Sequence, residues 1–281
     1  IELLDCDSTC IMLHANFPKP LQTNQYSISS TPFTPNTITG TPINLNDDKF
    51  STAIPLGFSF CFFGNVYTQC YVSDNGVLSF NPAYSGGACN TNTQQLLPYF
   101  NSTFPDNAIF FMFLDVSPAL GGSIKYQTLG TAPYRKFVVD YQNMKIFGNT
   151  CSAATSSYQV VLYESTHLID VYINSKVTCD NNASNVKNYS TVGIQNMGAT
   201  QWYAATGKHA SIFTSNQEGI RIAPAGPIDY LVKWRNAAQN VIATNVDSIY
   251  FCPTTLPYNK IYAEITYNCP PNFLTDTVIL D

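Results

Sequence analysis

The stretch from Ile54 to Phe80, IPLGFSFCFFGNVYTQCYVSDNGVLSF, constrains the fold more than any other part of the sequence. Apolar residues alternate with small or polar ones through its first half, which is the period of a β-strand. Gly64-Asn65 and Asp74-Asn75-Gly76 are turn sequences, because Asn and Gly tolerate positive φ at little cost. We therefore predict a three-stranded meander whose phenylalanines begin the core of a sandwich.

Further short strand patterns follow this meander, separated by about 8 to 15 residues, whereas helical periodicity is scarce. This spacing predicts an all-β fold, a β-sandwich of the jelly-roll or lectin-like type. The predicted strands are Ala108–Val116, Ser123–Gln127, Arg135–Tyr141, Tyr158–Tyr163, Leu168–Ile173, Thr191–Gln195 and Gly219–Ile222.

The segment Ala223-Pro224-Ala225-Gly226-Pro227 is the best candidate for a domain boundary. We predict a β-sandwich over residues 1–224 and a small immunoglobulin-like module over residues 227–281. The module would be built from Asp229–Trp234, Asp247–Phe251, Lys260–Tyr267 and Thr277–Leu280.

Composition excludes several classes of protein. Charged residues are 11% of the chain, against roughly 25% in an average soluble protein. The net charge is −5 and no basic block occurs, which argues against a nucleic-acid partner. No apolar run is long enough for a transmembrane helix. Ile1 is not a start methionine and no signal-peptide pattern follows it, so we expect a mature or excised piece of a secreted protein.

Nine cysteines without a CxxC pair indicate an oxidising compartment and disulfides, not a zinc site. We predict a local Cys6–Cys10 disulfide, a Cys252–Cys269 disulfide in the C-terminal module, and a Cys151–Cys179 disulfide across the ends of a hairpin. The partners of Cys61, Cys70 and Cys89 stay open. Because the total is odd, at least one thiol is free, pairs with another chain, or has its partner outside this sequence.

Several segments together resemble a known kind of domain. They are Ile54–Tyr67, Ser73–Phe80 (SDNGVLSF), Gly121–Tyr126 with Ala132–Val139, Tyr158–Glu164 and Thr191–Asn196. The set resembles the globular domain of large secreted surface proteins of the Bacteroidota, including SprB-like gliding adhesins. The tail from Cys252 to Cys269 looks like the Ig-like repeats of such proteins. The resemblance implies a cell-surface location, gliding motility or adhesion, and export by the type IX secretion machinery.

Two of these pieces, Phe-Phe-Gly-Asn and Asn-Gly-Val-Leu-Ser-Phe, also resemble nidogen-type extracellular domains of animals. Both resemblances imply adhesion. The motifs that carry them are structural, so neither resemblance names a ligand.

The sequence offers little for catalysis. The histidines are His14, His167 and His209, without HExxH, and no GxSxG occurs. A glycan hydrolase would need two facing carboxylates. Glu164 could face either Asp170 or Asp140 on a neighbouring strand. The favoured interpretation of Glu164 is that it begins a hairpin turn. We expect no enzyme activity.

Oxygen donors suited to Ca²⁺ occur at Asp47, Asp48, Asp74 and Asp115. Their spacing matches no EF-hand. Asx residues in turns mostly hydrogen-bond their own backbone, so turn chemistry is the favoured interpretation. A structural calcium ion stays open, and we expect no other cofactor.

For ligand binding, an exposed aromatic ring beside an amide side chain suits a flat, polar sugar. The candidates all lie in loop-like stretches: Trp202, Tyr203, Gln201, Tyr84, Asn90 and Tyr99. The alternative is that Trp202 and Tyr203 pack over a sheet edge, because Trp is buried on average.

Two kinds of glycosylation site are candidates. Asn101, Asn182 and Asn188 begin N-glycan sequons. Ser8, Ser248 and Thr277 lie in Asp-Ser/Thr triplets that resemble the O-glycosylation motif of the Bacteroidota.

Taken together, the sequence predicts a non-enzymatic domain of an extracellular adhesin or filament that contacts polysaccharide or a surface. Its neighbours would be further domains of the same large protein. A purely structural spacer or assembly segment is the alternative, and a surface glycan hydrolase is a third.

Overall fold

The computed structural model describes residues 10–89, 92–99, 101, 104–148, 151, 153–181, 186–252 and 259–280, and only the backbone at 180, 181, 186, 187, 259 and 271–280. The regular secondary structure of this part of the chain is almost entirely β-strand, apart from three short 3-10 helices at Pro82–Tyr84, Pro118–Leu120 and Met197–Ala199. In chain order its strands are β1 (Ile11–His14), β2 (Tyr26–Thr31), β3 (Thr41–Pro42), β4 (Ile54–Phe62), β5 (Asn65–Val72), β6 (Val77–Ser79), β7 (Ala108–Phe113), β8 (Ser123–Leu129), β9 (Lys136–Lys145), β10 (Thr155–Tyr163), β11 (Ile169–Lys176), β12 (Asp180–Asn181), β13 (Val186–Lys187), β14 (Tyr189–Gln195), β15 (Trp202–Ala204), β16 (Ser211–Ile212), β17 (Ser215–Pro224), β18 (Tyr230–Arg235), β19 (Val241–Thr244), β20 (Ser248–Phe251), β21 (Asn259–Asn268) and β22 (Pro271–Leu280).

The chain divides into two compact units, one inserted in the other. The central unit is Thr23–Gly226, and the terminal unit combines Ile1–Gln22 with Pro227–Asp281. The sequence placed residues 1–22 in the first domain, whereas the structure places them with the C-terminal module. The change from one unit to the other at Gly226 falls within the predicted Ala223–Pro227 segment.

The central unit is a sandwich of two antiparallel sheets, as the sequence predicted. The front sheet has the order β2-β17-β11-β10-β9-β8-β3. The back sheet has the order β15-β14-β7-β6-β5-β4, with β16 also paired to β14. Side chains from the inner faces of both sheets form one core, in which Phe60, Phe111, Tyr141 and Val160 are fully buried. Each such aromatic side chain contributes on the order of 2 kcal/mol by leaving water.

The meander predicted over Ile54–Phe80 is present as β4, β5 and β6. Its second turn needs glycine, because Gly76 has φ +70° and a Cβ there would lie 2.2 Å from the carbonyl oxygen of Met112. The backbone N–H of Phe111 donates to the carbonyl of Gly76 at 3.1 Å. The turn is therefore packed against β7 inside the sandwich and is not an exposed hairpin tip.

A second hydrophobic cluster lies on the outer face of the back sheet. The segment after β6 folds over that face and contributes Tyr84, Leu97 and Phe104, which pack with Phe110 and Phe113 of β7. Because β7 is covered on both faces, all six of its residues are buried. This explains why its sequence is a continuous apolar run and not an alternating one.

The terminal unit contains a four-stranded sheet, β19-β18-β21-β22, and the antiparallel pair β1-β20. Its core includes Leu13, Phe17, Val232 and Trp234. The indole N–H of Trp234 donates to the carbonyl of Val246 at 2.9 Å. All four predicted strands are present. The sequence missed β1 and β19, which are short and have no clean alternation.

Two predicted disulfides are wrong and one is confirmed. Cys10 is bonded to Cys252, across 242 residues, so it is unavailable to Cys6 and Cys252 is unavailable to Cys269. Local spacing misled both predictions, because β1 and β20 are paired in space although distant in sequence. Cys6 itself lies outside the described residues. The Cys151–Cys179 disulfide is present as predicted.

The remaining cysteines are of two kinds. Cys61 and Cys269 are also disulfide-bonded. Cys70 and Cys89 are buried thiols, and burial raises the pKa of each well above that of an ordinary thiol. No helix in the described part of the chain is long and apolar enough to cross a membrane.

Candidate functional site

An exposed aromatic edge is formed by Trp202 on β15, the last strand of the back sheet. The Trp202 side chain is 39% exposed, and its ring packs at 5.0 Å, tilted by 33°, on the imidazole of His209. The turn that joins β14 to β15 carries the exposed Met197, and Gln201 beside Trp202 is exposed too. This edge therefore presents a supported indole ring, and the residue before it in the sequence, Gln201, is exposed as well.

His209 is held in one state by its surroundings. Its Nε2 accepts a 2.7 Å hydrogen bond from the backbone N–H of Leu97. Partial burial lowers the pKa of His209 below its usual value, so the ring is neutral at pH 7 and its proton is on Nδ1. The imidazole acts as a fixed support for the indole, and the edge needs little ordering to meet a ligand.

Among the described residues, the structure does not bring the predicted ligand tyrosines to this surface. Tyr203 faces inward, where its ring packs at 5.8 Å on Tyr26. Tyr84 is buried and its hydroxyl donates to the carbonyl of Phe104 at 2.9 Å. Tyr99 packs edge-on against Phe104. These tyrosines have packing roles, and Asn90 lies outside the described residues.

Three of the four calcium candidates are brought close together although they come from two separate stretches of sequence, and the fourth interacts with them electrostatically. Carboxylate oxygens of Asp47, Asp48 and Asp74 lie within 4.8 Å of one another. Asp74 is fully buried, and its carboxylate accepts from the backbone N–H groups of Asp48 at 2.8 Å and Lys49 at 3.0 Å. Asp115 is coupled electrostatically to Asp47 and Asp48.

The same arrangement makes the ionised form of these carboxylates less favourable. Burial, followed by repulsion from neighbouring carboxylates, raises the pKa of Asp74 and of Asp115 to about 7. Burial also raises the pKa of Asp48, although the amide of Asn75 donates to it at 3.1 Å. An all-oxygen donor set of this kind suits a hard cation such as Ca²⁺, and a structural calcium stays a prediction.

We expect Asp74 and Asp115 to contribute a loss of stability, measured in EDTA, as pH rises from about 4 to about 7. The folded state holds protons on Asp74 and Asp115 in this window, whereas the unfolded carboxyls have lost theirs, so unfolding is favoured as pH rises. Asp115→Asn removes a charge that is disfavoured first by burial and then by its neighbours, and it should raise the free energy of unfolding at pH 8 by more than about 1 kcal/mol. Denaturant titrations of both proteins at several pH values measure this.

If the stability difference between Asp115→Asn and the wild type does not grow from pH 4 to pH 8, or if Asp115→Asn is destabilised at pH 8, the charged Asp115 carboxylate is not disfavoured in the folded state. Repeating the titration with calcium tests the calcium prediction separately. A midpoint that rises with CaCl₂ in the wild type, and rises less in Asp115→Asn, would support it.

Two of the three carboxylates weighed for glycan hydrolysis form ion pairs with arginines, and the third, Asp140, accepts hydrogen bonds from Gln142 and Gln159. Glu164 forms a salt bridge with Arg135, whose guanidinium holds the pKa of Glu164 below its usual value. Asp170 is fully buried and accepts two 2.7 Å hydrogen bonds from Arg221. A general acid needs a raised pKa, which Glu164 does not have, and a nucleophile needs an open face, which the buried Asp170 does not have.

The glycosylation candidates differ in accessibility. Asn188 is only 3% exposed, so its amide cannot carry an N-glycan in the folded chain, and this prediction is wrong for the folded protein. The Asn101 side chain accepts from the N–H of Phe104 at 2.7 Å. Ser248 shares a 2.8 Å hydrogen bond with His14. Asn182 and Ser8, and the side chain of Thr277, lie outside the described residues.

Sequence reasoning missed a polar cleft on the outer face of the front sheet. Its volume is ≈ 380 Å³, and it lies where the segment before β3 passes over β8, β9, β10 and β11. Lys125, Asp140, Gln142 and Asn174 contribute to its lining. Each is a polar residue at an alternating strand position, a pattern that is normal for any solvent-facing sheet surface, so the sequence carried no signal for the cleft.

The fold and its disulfides define a class: a disulfide-bonded, all-β sandwich protein, the kind of framework typical of secreted proteins. Residues 25–249 match the model of the protein family described as NIDO related. Since this match covers well over half of the 281 residues, the chain belongs to the NIDO-related family. No curated protein and no solved structure matches the chain. The disulfides and the family together indicate a secreted or extracellular protein.

Proposed function

We propose that this chain is a non-enzymatic binding module of an extracellular, cell-surface adhesin or filament, and that it contacts polysaccharide through the Trp202 edge. The observation that carries the proposal is the exposed indole, supported from behind by a neutral His209, with the exposed residue Gln201 directly before it in the sequence. An aromatic face meets the C–H face of a sugar, and the amide can pair with its hydroxyls.

One such edge supplies only a weak contact, so high affinity in the cell would require many copies of the module binding at once. Several modules on one large surface protein would raise the effective concentration of each contact near a polymeric ligand. This agrees with the low charge of the chain, since neither a strongly acidic nor a strongly basic partner is required. The likeness to gliding adhesins of the Bacteroidota, with type IX export, stays a prediction within this proposal.

We expect Trp202→Ala to weaken retention on an immobilised polysaccharide about tenfold, a loss of about 1.4 kcal/mol per contact. Gln201→Ala should weaken it less, because it removes hydrogen bonds and leaves the ring. A glycan array identifies the polysaccharide, and affinity electrophoresis then compares the variants. Tyr134→Ala is the matched control, because Tyr134 is also an exposed aromatic residue of the central unit.

If Trp202→Ala and Tyr134→Ala bind like the wild type, the Trp202 edge is not the contact surface. If the wild type binds no glycan and no whole cells above background, the second candidate function is favoured, a structural spacer in a surface filament. The observation that favours a spacer is the nesting of the central unit within the terminal unit, which brings both ends of the described chain into one unit.

A further inference from the structure

The polar cleft of the front sheet has the organisation of a second binding site, separate from the Trp202 edge. One row of side chains crosses four strands at its floor: Lys125 of β8 lies opposite Asp140 of β9, Asp140 opposite Gln159 of β10, and Gln159 opposite Tyr172 of β11. Residues directly opposite on neighbouring strands point to the same face, with Cβ atoms about 5 Å apart. The row therefore places an ammonium, a carboxylate and an amide side by side.

The wall of the cleft is fixed to its floor by hydrogen bonds. The Gln159 amide is fully engaged: its Oε1 accepts from the backbone N–H of Asn36 at 2.8 Å, and its Nε2 donates to the carbonyl of Asn36 at 2.9 Å and to Asp140 at 3.0 Å. Gln127 similarly accepts from the backbone N–H groups of Thr39 and Gly40. A ligand would enter a cleft that is already formed, so little entropy is lost in ordering the wall.

Several polar groups on the floor keep unused hydrogen-bonding capacity. The Asp140 carboxylate accepts from Gln159 and from Gln142, which leaves lone pairs for further donors. Among the residues that the structure describes, Lys125 forms no salt bridge, although it lies opposite Asp140. The Asn174 amide is exposed at the rim. Donors and acceptors are thus both available to a ligand.

The charge of the cleft decides the class of ligand. Asp140 and Lys125 balance each other, so an anion meets a carboxylate and a cation meets an ammonium. A hydroxyl group suits both, since it donates to the carboxylate and accepts from the ammonium. The volume of ≈ 380 Å³ is at the small end of ligand pockets. We propose that this cleft binds a neutral sugar residue, with vicinal hydroxyls bridging Asp140 and Lys125 and a third contact to Asn174.

The test is an NMR titration of the isotope-labelled chain with neutral methyl hexosides (gluco, galacto and manno), with a pool of neutral disaccharides, and with methyl glucuronide as the anionic probe. A neutral probe should shift the amide signals of Lys125, Asp140 and Asn174 saturably. Lys125→Met and Asp140→Asn should each weaken this binding at least tenfold, and Asn174→Ala about threefold. Lys145→Met, on the same strand as Asp140, is the control and should leave it unchanged.

Asp140→Asn could disturb the wall by altering its bond to Gln159, so Lys125→Met and Asn174→Ala, which lie outside that network, decide the case. The proposal is overturned if no neutral probe gives saturable shifts at tens of millimolar. It is also overturned if all three variants bind like the wild type, or if the glucuronide binds more tightly than every neutral probe. Trp202→Ala should leave sugar binding by the cleft intact. A result that overturns the cleft proposal can therefore be told apart from one that overturns the proposal for the Trp202 edge.

Discussion

Replacing both Cys10 and Cys252 by serine is expected to destabilise the terminal unit by about 4 kcal/mol and to leave the central sandwich folded. The disulfide spans 242 residues, but β2 and β17 hold Tyr26 beside Pro224 as long as the central unit is folded. The loop that the disulfide closes when the terminal unit alone unfolds is therefore roughly 40 residues, and the estimate follows from its closure entropy.

Differential scanning calorimetry measures this, because the two units should then unfold in separate transitions and only one should move. The matched control is the pair Cys151→Ser and Cys179→Ser, whose disulfide lies within the central unit, so it should lower the other transition. If removing Cys10–Cys252 lowered both transitions equally, the two units would unfold as one cooperative body. The two structural units would then not be separate units of unfolding.

The second large effect is expected at Lys176, where Lys176→Met should raise the free energy of unfolding at pH 7 by on the order of 1–3 kcal/mol. Lys176 is 1% exposed, and its Nζ donates to the carbonyl of Phe213 at 2.8 Å and lies 4.5 Å from the centre of that ring. The ammonium of Lys208 lies 4.5 Å from the same ring but is paired with Glu218 at 3.1 Å. Lys176 is thus a buried cation beside a second cation.

Burial, and then Lys208, lowers the pKa of Lys176 to about 8. Between pH 8 and the ordinary lysine pKa of 10.5 the unfolded chain binds the additional proton, so this residue makes stability rise with pH. The stability advantage of Lys176→Met should therefore shrink from pH 7 to pH 9.5. The difference between the two proteins isolates Lys176, because the buried thiols of Cys70 and Cys89 titrate equally in both.

Urea titrations at these pH values, with Lys208→Met as the matched control, check this prediction. Removing Lys208 breaks a salt bridge and relieves repulsion on Lys176, so the control should not gain stability in the same pH-dependent way. A Lys176→Met protein that is less stable than the wild type at every pH would mean that its hydrogen bond and ring contact outweigh the cost of burying the charge.

The sequence predicted the sandwich well where local pattern and burial agree. The meander of β4 to β6 was predicted because its turn residues and its alternating phenylalanines report the same geometry. β7 was predicted because a strand covered on both faces is apolar throughout. Long-range pairing was not predictable in this way. Cys10 bonds to Cys252 because β1 joins β20, and nothing within either short segment specifies the other.

The candidate sites show the same limit. Trp202 was singled out as an aromatic residue in a loop-like stretch, but only the structure separates it from Tyr203, whose ring points inward one position further along an edge strand. The aspartates were chosen for their oxygen ligands, yet their proximity depends on how the turn at Gly76 is buried. The cleft around Asp140 depends on cross-strand register, which a single sequence does not display.

The nesting of the two units also decides which part of the molecule bears a mechanical load. A pull on the two ends of the described chain reaches Cys10 on one side and Cys252 on the other, and the disulfide joins these residues directly. Residues 11–251, and with them the whole central unit, lie within the loop that this disulfide closes. A pull applied between residues 10 and 252 is therefore carried by the disulfide and does not stretch the sandwich.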